Sequence, residues 1–371
     1  MSLQSVRVRN FKAIVDSRAV KLGPLTVFVG NNGSGKSSLI EALETWQDIV
    51  RDGLDAAMSR WLGIEHARHK AMEARERAGK AVNPIVFEAS LGASPRKVTR
   101  CELQINNDAA ANRMFIAAER LNFADGTFVG RNPASRSAPG RSILTAHDPQ
   151  YADEARQFSD WQFLTLQPER MGLPQPRQRT GGGVRLLKDG SNIADYLLEI
   201  QRLSPEAFEG IVRTMAYVLP YARDLQAAVT SELERKAYLQ LSEGDFKVPG
   251  WMLSTGTLRV LALLAVLRHP EPPPLVVVEE IENGLDPRSI HLLVEEIRTA
   301  VLSGVTQVVL TTHSPYLLDL LQLEQIVLVA RDAQGQPRFH RPADSESLQR
   351  WAGEFAPGRL YTMGKLHEAA P

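Results

Sequence analysis

The sequence predicts an α/β fold: a mainly parallel core sheet covered on both faces, joined to an antiparallel β-meander and an inserted helical layer. Three observations carry that expectation. Continuous apolar runs of strand length, "LTVFVG" at 25–30, "LVVVEE" at 275–280, "QVVLTTH" at 307–313 and "QIVLVARD" at 325–332, have the pattern of strands buried on both faces. Helical stretches alternate with them, "SSLIEALETW" at 37–46 and "SPYLLDLLQ" at 314–322 among them. Between 83 and 130, three shorter runs separated by turn residues read as a meander.

Taken in order, "SVRVRNFKAIVD" at 5–16 alternates like a half-buried strand. The stretch after it, "GNNGSGKSSLIEAL" at 30–43, places glycines and asparagines just before a helix. Gly30, Gly35, Lys36 and Ser37 have the G-x-x-x-x-G-K-S spacing of a phosphate-binding loop. The loop Gly30, Asn31, Asn32, Gly33, Ser34, Gly35 lets consecutive backbone N–H groups turn toward phosphate oxygens. The helix start at Lys36, Ser37 and Ser38 adds free N–H groups and a positive dipole end. Lys36 reaches the β- and γ-phosphates, and the Ser37 hydroxyl suits Mg²⁺. The expectation is a nucleoside triphosphate site with Mg²⁺.

From 44 to about 82 the chain is polar and helix-prone. Residues 132–153 are rich in Pro, Ser, Gly and Arg and read as loop; 192–229 read as helical, broken at Pro205 and Pro220. These features divide the chain into an N-terminal lobe at 1–130, a looped and helical insert at 131–250 and a C-terminal lobe at 251–371. Lys plus Arg and Asp plus Glu both number 43, so only local patches could grip nucleic acid. Two stretches, 129–145 around Arg136 and 173–188 around Arg179, carry cations without acids and suit phosphate-backbone contact. The single cysteine, Cys101, excludes an intrachain disulfide and sits in a strand pattern. The N-terminus lacks an apolar signal core, and the run "VLALLAVL" at 260–267 is too short to span a bilayer. A cytoplasmic chain with no membrane contact is expected.

The C-terminal half indicates which kind of nucleotide protein this is. Glu279 and Glu280 end a buried strand, where ligands bind in open α/β sheets, and paired carboxylates there suit holding Mg²⁺ and activating water. The register E-E-I-E-N-G-L-D-P at 279–287 resembles the Walker B motif and D-loop of ABC-type ATPases. "LSTGTLRVLALLAVL" at 253–267 resembles their signature motif, and "VVLTTHSPYLL" at 308–318 their switch strand. With "NFKAI" at 10–14, the motif order resembles the RecF/SMC/OLD-like group, and more narrowly the stand-alone "AAA family ATPases" of bacterial anti-phage defence operons. The resemblance implies an ABC-ATPase head. In it Glu279 holds Mg²⁺, Glu280 is the catalytic base, His313 senses the γ-phosphate, and Ser254, Gly256 and Asp286 contact nucleotide. Glu279 departs from the usual aspartate, and Asp286 from a histidine common in the narrower group.

Ser254 opens a helix far in sequence from Lys36 and would form a second anion site with the Gly256 N–H. One γ-phosphate per chain leaves that site for a partner's nucleotide, so a two-fold homodimer is expected. Gln167 is a candidate Q-loop residue; Phe11 and Lys12 either flank adenine or simply close their strand. The chain lacks the heptads of SMC arms and, after His313, the length for an OLD-type nuclease. A separately encoded effector or nuclease subunit is therefore expected. The alternatives are a RecF-like repair ATPase or a nucleotide-dependent clamp with negligible turnover.

Overall fold

The computed structural model describes residues 2–71, 83–94, 97–108, 111–131, 140–145, 151–177, 183–220, 222–230 and 234–368. The chain forms two compact units, Met1–Trp161 with Leu321–Pro371, and Gln162–Leu320.

The first unit opens with β1 (Ser2–Phe11), β2 (Ile14–Asp16), β3 (Val20–Lys21), β4 (Leu25–Val29) and the helix α1 (Lys36–Asp52). The expected meander follows as β5 (Ile85–Ser94), β6 (Lys97–Asp108), β7 (Arg113–Asn122) and β8 (Phe128–Arg131). These strands make one antiparallel sheet in the order β2-β1-β5-β6-β7-β8, with β3 beside β1. Alternation decides its faces: β1 buries Leu3, Val6, Val8 and Phe11 and turns Ser5, Arg7 and Arg9 outward. The α1 helix buries Leu39, Ile40, Leu43, Trp46, Ile49 and Val50. Trp46 stacks on Phe87 at 5.9 Å and meets Phe158 at 4.6 Å between ring centroids. Aromatic contacts of this kind add about 0.5–1.5 kcal/mol each beyond area burial. The Gln47 amide is consumed inside, donating to the carbonyls of Phe158 at 3.0 Å and Trp161 at 2.7 Å.

The second unit carries β9 (Gln162–Leu164), β10 (Gln175–Pro176), α2 (Ile193–Leu203) and α3 (Pro205–Val218). The break at Pro205 is a helix start. Ser204 Oγ accepts from the Ala207 amide at 3.2 Å, and proline takes the first helical position. After Pro220 the expected helix gives way to a strand, β11 (Ala222–Val229), followed by β12 (Lys236–Glu243) and β13 (Phe246–Pro249). The expectation of helix to 229 was wrong for a tertiary reason. The alanine-containing stretch pairs with β12 from Ala222↔Glu243 to Val229↔Ala237, and that ladder overrides local helix propensity.

The unit continues with α4 (Thr255–Leu267), β14 (Leu275–Val278), α5 (Pro287–Leu302), β15 (Gln307–Thr312) and α6 (Pro315–Asp319). From Thr257 onward α4 is buried on almost every side, as a helix that is apolar all round must be. Parallel pairing places β14 between β9 and β15, with Val278 opposite both Leu164 and Leu310. The chain then returns to the first unit with β16 (Ile326–Arg331) and β17 (Pro337–His340). There β16 runs parallel to β4 and antiparallel to β17.

Candidate functional site

The first unit holds the phosphate-type loop. It leaves the carboxyl end of β4 at Gly30, whose added Cβ would lie 2.1 Å from the Val329 carbonyl oxygen; only glycine fits there. Gly33 (φ +74°) and Gly35 (φ +113°) occupy the left-handed side of backbone space. Gly35 caps α1 with no side-chain bond to the helix, and the first turn contains no acid. The leading N–H groups of α1 are therefore not claimed by a capping side chain. Lys36 is 7% exposed and donates to the carbonyls of Gly30 at 2.6 Å and Asn31 at 3.2 Å, so its charge lies against the loop. Ser34 Oγ is buried without a hydrogen-bond partner among the described residues, and Ser37 is exposed at the helix mouth. Arg331, remote in sequence, donates to the Gly33 carbonyl at 2.8 Å and braces the loop. A buried orphan hydroxyl, uncapped amides and a lysine converging on one loop fit a triphosphate.

The second unit gathers the carboxylates at the carboxyl edge of β9, β14 and β15. Glu279 follows β14; its amide donates to the Leu164 carbonyl at 3.1 Å, and its Oε1 accepts from Thr165 Oγ1 at 3.2 Å. Glu280 is exposed and sits at φ +49°, rare for a residue with a Cβ. Its amide donates to Thr311 Oγ1 at 2.8 Å, and its Oε2 accepts from Asn283 Nδ2 at 2.5 Å. His313 directly follows the neighbouring strand β15, its amide donating to Glu282 Oε1 at 2.6 Å. Glu282 Oε2 is buried without a partner among the described residues. Gln167 stands exposed three residues beyond β9, its amide donating to the Asp189 carbonyl at 2.9 Å. One edge thus brings together Thr165, Gln167, Glu279, Glu280, Glu282 and His313. Among the described residues no group of three or more His, Cys, Asp or Glu could hold a metal by itself. Oxygen donors few in number suit Mg²⁺, which keeps waters and phosphate oxygens as its other ligands.

Ser254 is the N-cap of α4, its Oγ accepting from the Thr257 amide at 3.1 Å. Gly256 is the second residue of that helix, and a Cβ there would lie 2.6 Å from the Gly284 carbonyl oxygen. The start of α4 and the turn after Glu282 therefore pack backbone to backbone. Asp286 caps α5: Oδ1 accepts from the amides of Arg288 at 2.9 Å and Ser289 at 3.2 Å, and Oδ2 from Ser289 Oγ at 2.6 Å. These bonds, the Ser289 hydroxyl first, hold its carboxyl below the usual range. Arg259, one turn after Ser254, donates to the Leu166 carbonyl at 3.1 Å, and burial lowers its guanidinium pKa.

Reading motifs alone missed Thr165, Arg259, Glu282, Thr311 and Arg331. Arg259, Glu282 and Thr311 had a signal, lying inside the motif stretches. Phe11 is fully buried between Trp61 and Phe87, so it closes its strand. Lys12 pairs with Glu41 at 2.5 Å and lies over the Trp61 ring. Cys101 is a buried core thiol whose pKa burial raises. In the basic stretches, Arg136 and Arg179 lie outside the described residues. Arg177 is paired at 2.9 Å with the buried Asp195. No helix among the described residues is long and apolar enough to cross a membrane.

Comparison with known proteins gives this geometry its kin. Residues 25–319 match a family model described as "AAA domain, putative AbiEii toxin, Type IV TA system", and residues 1–48 match an AAA ATPase domain model. The chain is 26% identical over 246 residues to the DNA replication and repair protein RecF of Heliobacterium modesticaldum, covering 63% of this chain and 59% of RecF. It is 30% identical over 192 residues to the Nod factor export ATP-binding protein I of Rhizobium etli, covering 50% of each. The matches thus span little more than half the length of these relatives. Among solved structures, an SMC head bound to the C-terminal winged-helix domain of ScpA superposes with a TM-score of 0.60 at 13% identity, covering 92% of this chain and 97% of that one. An SMC head with an extended coiled coil bound to the C-terminal domain of ScpA, derived from Pyrococcus furiosus, gives 0.53 at 14% identity, covering 91% and 96%. The fold is that of an SMC-head-like ABC ATPase, and the chain belongs to the AAA-domain family of the putative AbiEii toxin type, as an ATPase domain of the RecF/SMC kind.

Proposed function

We propose that this chain binds ATP with Mg²⁺, dimerises through its nucleotide sites and hydrolyses ATP to ADP and phosphate as a switch for a separate effector. The observation that carries the reading is the fastening of Glu280. Its backbone is tied to Thr311 on β15, the strand just before His313, while its carboxylate stays exposed at the sheet's carboxyl edge. Lys36, the loop amides of residues 30–35 and Ser38 hold the phosphates, and Asn31 and Asn32 line the mouth of the loop. Mg²⁺, held by Ser37 and Glu279, would neutralise charge on the phosphates. Glu280 accepts the proton of the attacking water, worth about 10²–10⁴-fold in rate. His313 orients that water, and Gln167 relays the state of the site to the insert.

Ser254, the Gly256 amide and Asp286 act on the partner protomer's nucleotide. The functional division is 1–130, 131–250 and 251–371, with the effector docked on the part of the insert between about Asn192 and Val229. Nucleic-acid contact through 129–145 and 173–188, a cytoplasmic location and a role in anti-phage defence complete the reading. One fact supports a docked partner: the solved SMC heads carry ScpA domains. Similarity to RecF favours a DNA-repair role as the second reading.

Mixing tests the composite site. Ser254→Arg and Lys36→Ala chains should each be inactive alone, and their mixture should recover part of the phosphate release through one intact site per heterodimer. Heterodimers that form without any recovery count against the trans site. Steady phosphate release by the parent separates this reading from a clamp with negligible turnover.

A further inference from the structure

The outer face of the antiparallel sheet carries two parallel rows of side chains, one charge-balanced and one basic. One row runs Arg7, Glu88, Glu102, Arg120 across β1, β5, β6 and β7. It is internally neutralised: Arg7 and Arg9 pair with Glu88, Arg7 also with Asp16 at 2.7 Å, and Arg120 with Glu102 at 3.3 Å. Two residues along each strand, hence on the same face, lies the second row. The ladder registers there read Lys21, Ser5, Ser90, Arg100, Asn122 across β3, β1, β5, β6 and β7. That row contains no acid, Lys21 and Arg100 are exposed, and neither has an ion-pair partner among the described residues. It floors a groove of about 730 Å³ flanked by Arg341, whose Nε is buried without a hydrogen-bond partner among the described residues.

We propose that this row binds the phosphodiester backbone of a nucleic acid. At about 4.8 Å per strand, Lys21 and Arg100 stand three steps, roughly 14 Å, apart. That run faces about four phosphates of one strand at roughly 3.4 Å of axis each. A compact anion would engage one end of such a line; a polyanion engages all of it. Lys and Arg interleaved with Ser and Asn donors are the residue types that contact phosphate and sugar rather than base edges. The site is therefore sequence-indifferent. The half-buried Phe123 ring, at the groove's edge, gives a base or ribose an apolar seat. The inference rests on the folded first unit, independent of ATP turnover and of the loops at 129–145 and 173–188.

The test is fluorescence anisotropy of the full chain with labelled 30-nucleotide single-stranded DNA, the matching RNA and a 30-base-pair duplex, from about 50 to 200 mM salt. Lys21→Glu with Arg100→Glu should weaken binding most at low salt. It should also reduce the slope of log K against log salt by roughly 1.4 for single strands or 1.8 for duplex, two contacts' worth. Lys21→Gln with Arg100→Gln, a gentler pair, should move the slope the same way with an unchanged melting curve. Which of the three probes binds most tightly identifies the source of the backbone. Phosphate release without nucleic acid, measured in parallel, should match the parent, so a dead ATPase and a dead groove are told apart. Parent chain that binds no probe, either double variant retaining the parent slope, or polyglutamate binding as tightly as DNA overturns the proposal.

Discussion

Glu280 combines a proposed chemical role with an unfavourable backbone, and substitution can separate the two. At φ +49° a residue with a Cβ costs about 1–2 kcal/mol relative to the right-handed region, a cost glycine does not bear. Glu280→Ala keeps that cost and loses the bond from Asn283. Glu280→Gly loses the same bond but sheds the strain, against roughly 0.4–1 kcal/mol of added unfolded-chain entropy. The glycine variant should therefore be the more stable of the two by about 1 kcal/mol. At an ordinary helix or strand position the order is reversed by about 0.5–1 kcal/mol. Urea unfolding of both variants measures the difference directly. Turnover should fall by roughly 10²–10⁴-fold in each and in Glu280→Gln, the last accumulating as an ATP-bound dimer on a sizing column. An alanine variant as stable as the glycine one would refute the stored strain, and parental turnover in Glu280→Gln would refute the base assignment.

Gly30→Ala places a methyl 2.1 Å from the Val329 carbonyl oxygen, so the loop or β16 must move. A loss of about 1–3 kcal/mol in urea unfolding is expected, together with weaker binding of a fluorescent ATP analogue. Burial pushes Glu119 from 4.5 up to about 7, opposed by bonds from the Ser142 hydroxyl and the Ile143 amide. A raised folded pKa means the folded state holds the proton more tightly. That contribution is complete below about 4.5 and is lost as pH rises through about 7. The loss amounts to roughly 3 kcal/mol, so urea midpoints should fall between pH 5 and 8.5, and Glu119→Gln should flatten that fall.

Much of the site was legible in sequence because its chemistry depends on local backbone. Gly30, Gly35, Lys36 and Ser37 lie within eight consecutive residues, so the loop they make between strand and helix is set by local sequence. Ser254, Asp286 and Ser314 each proved to be a helix cap, a role set by neighbours three residues away. The apolar runs of β4, β14, β15 and β16 likewise declared their burial, since strands covered on both faces have no polar alternation. Tertiary structure decided whatever depended on a partner distant in the chain. Residues 222–229 became a strand because β12 offered a ladder, and Arg331 acquired its role because β16 returned beside β4. Glu282 lies within a motif, yet only folding brings its carboxylate to the His313 amide. The unpaired row from Lys21 to Asn122 draws one residue from each of five strands. No window of sequence contains it; cross-strand register creates it, because a pleated sheet aligns side chains across strands rather than along them.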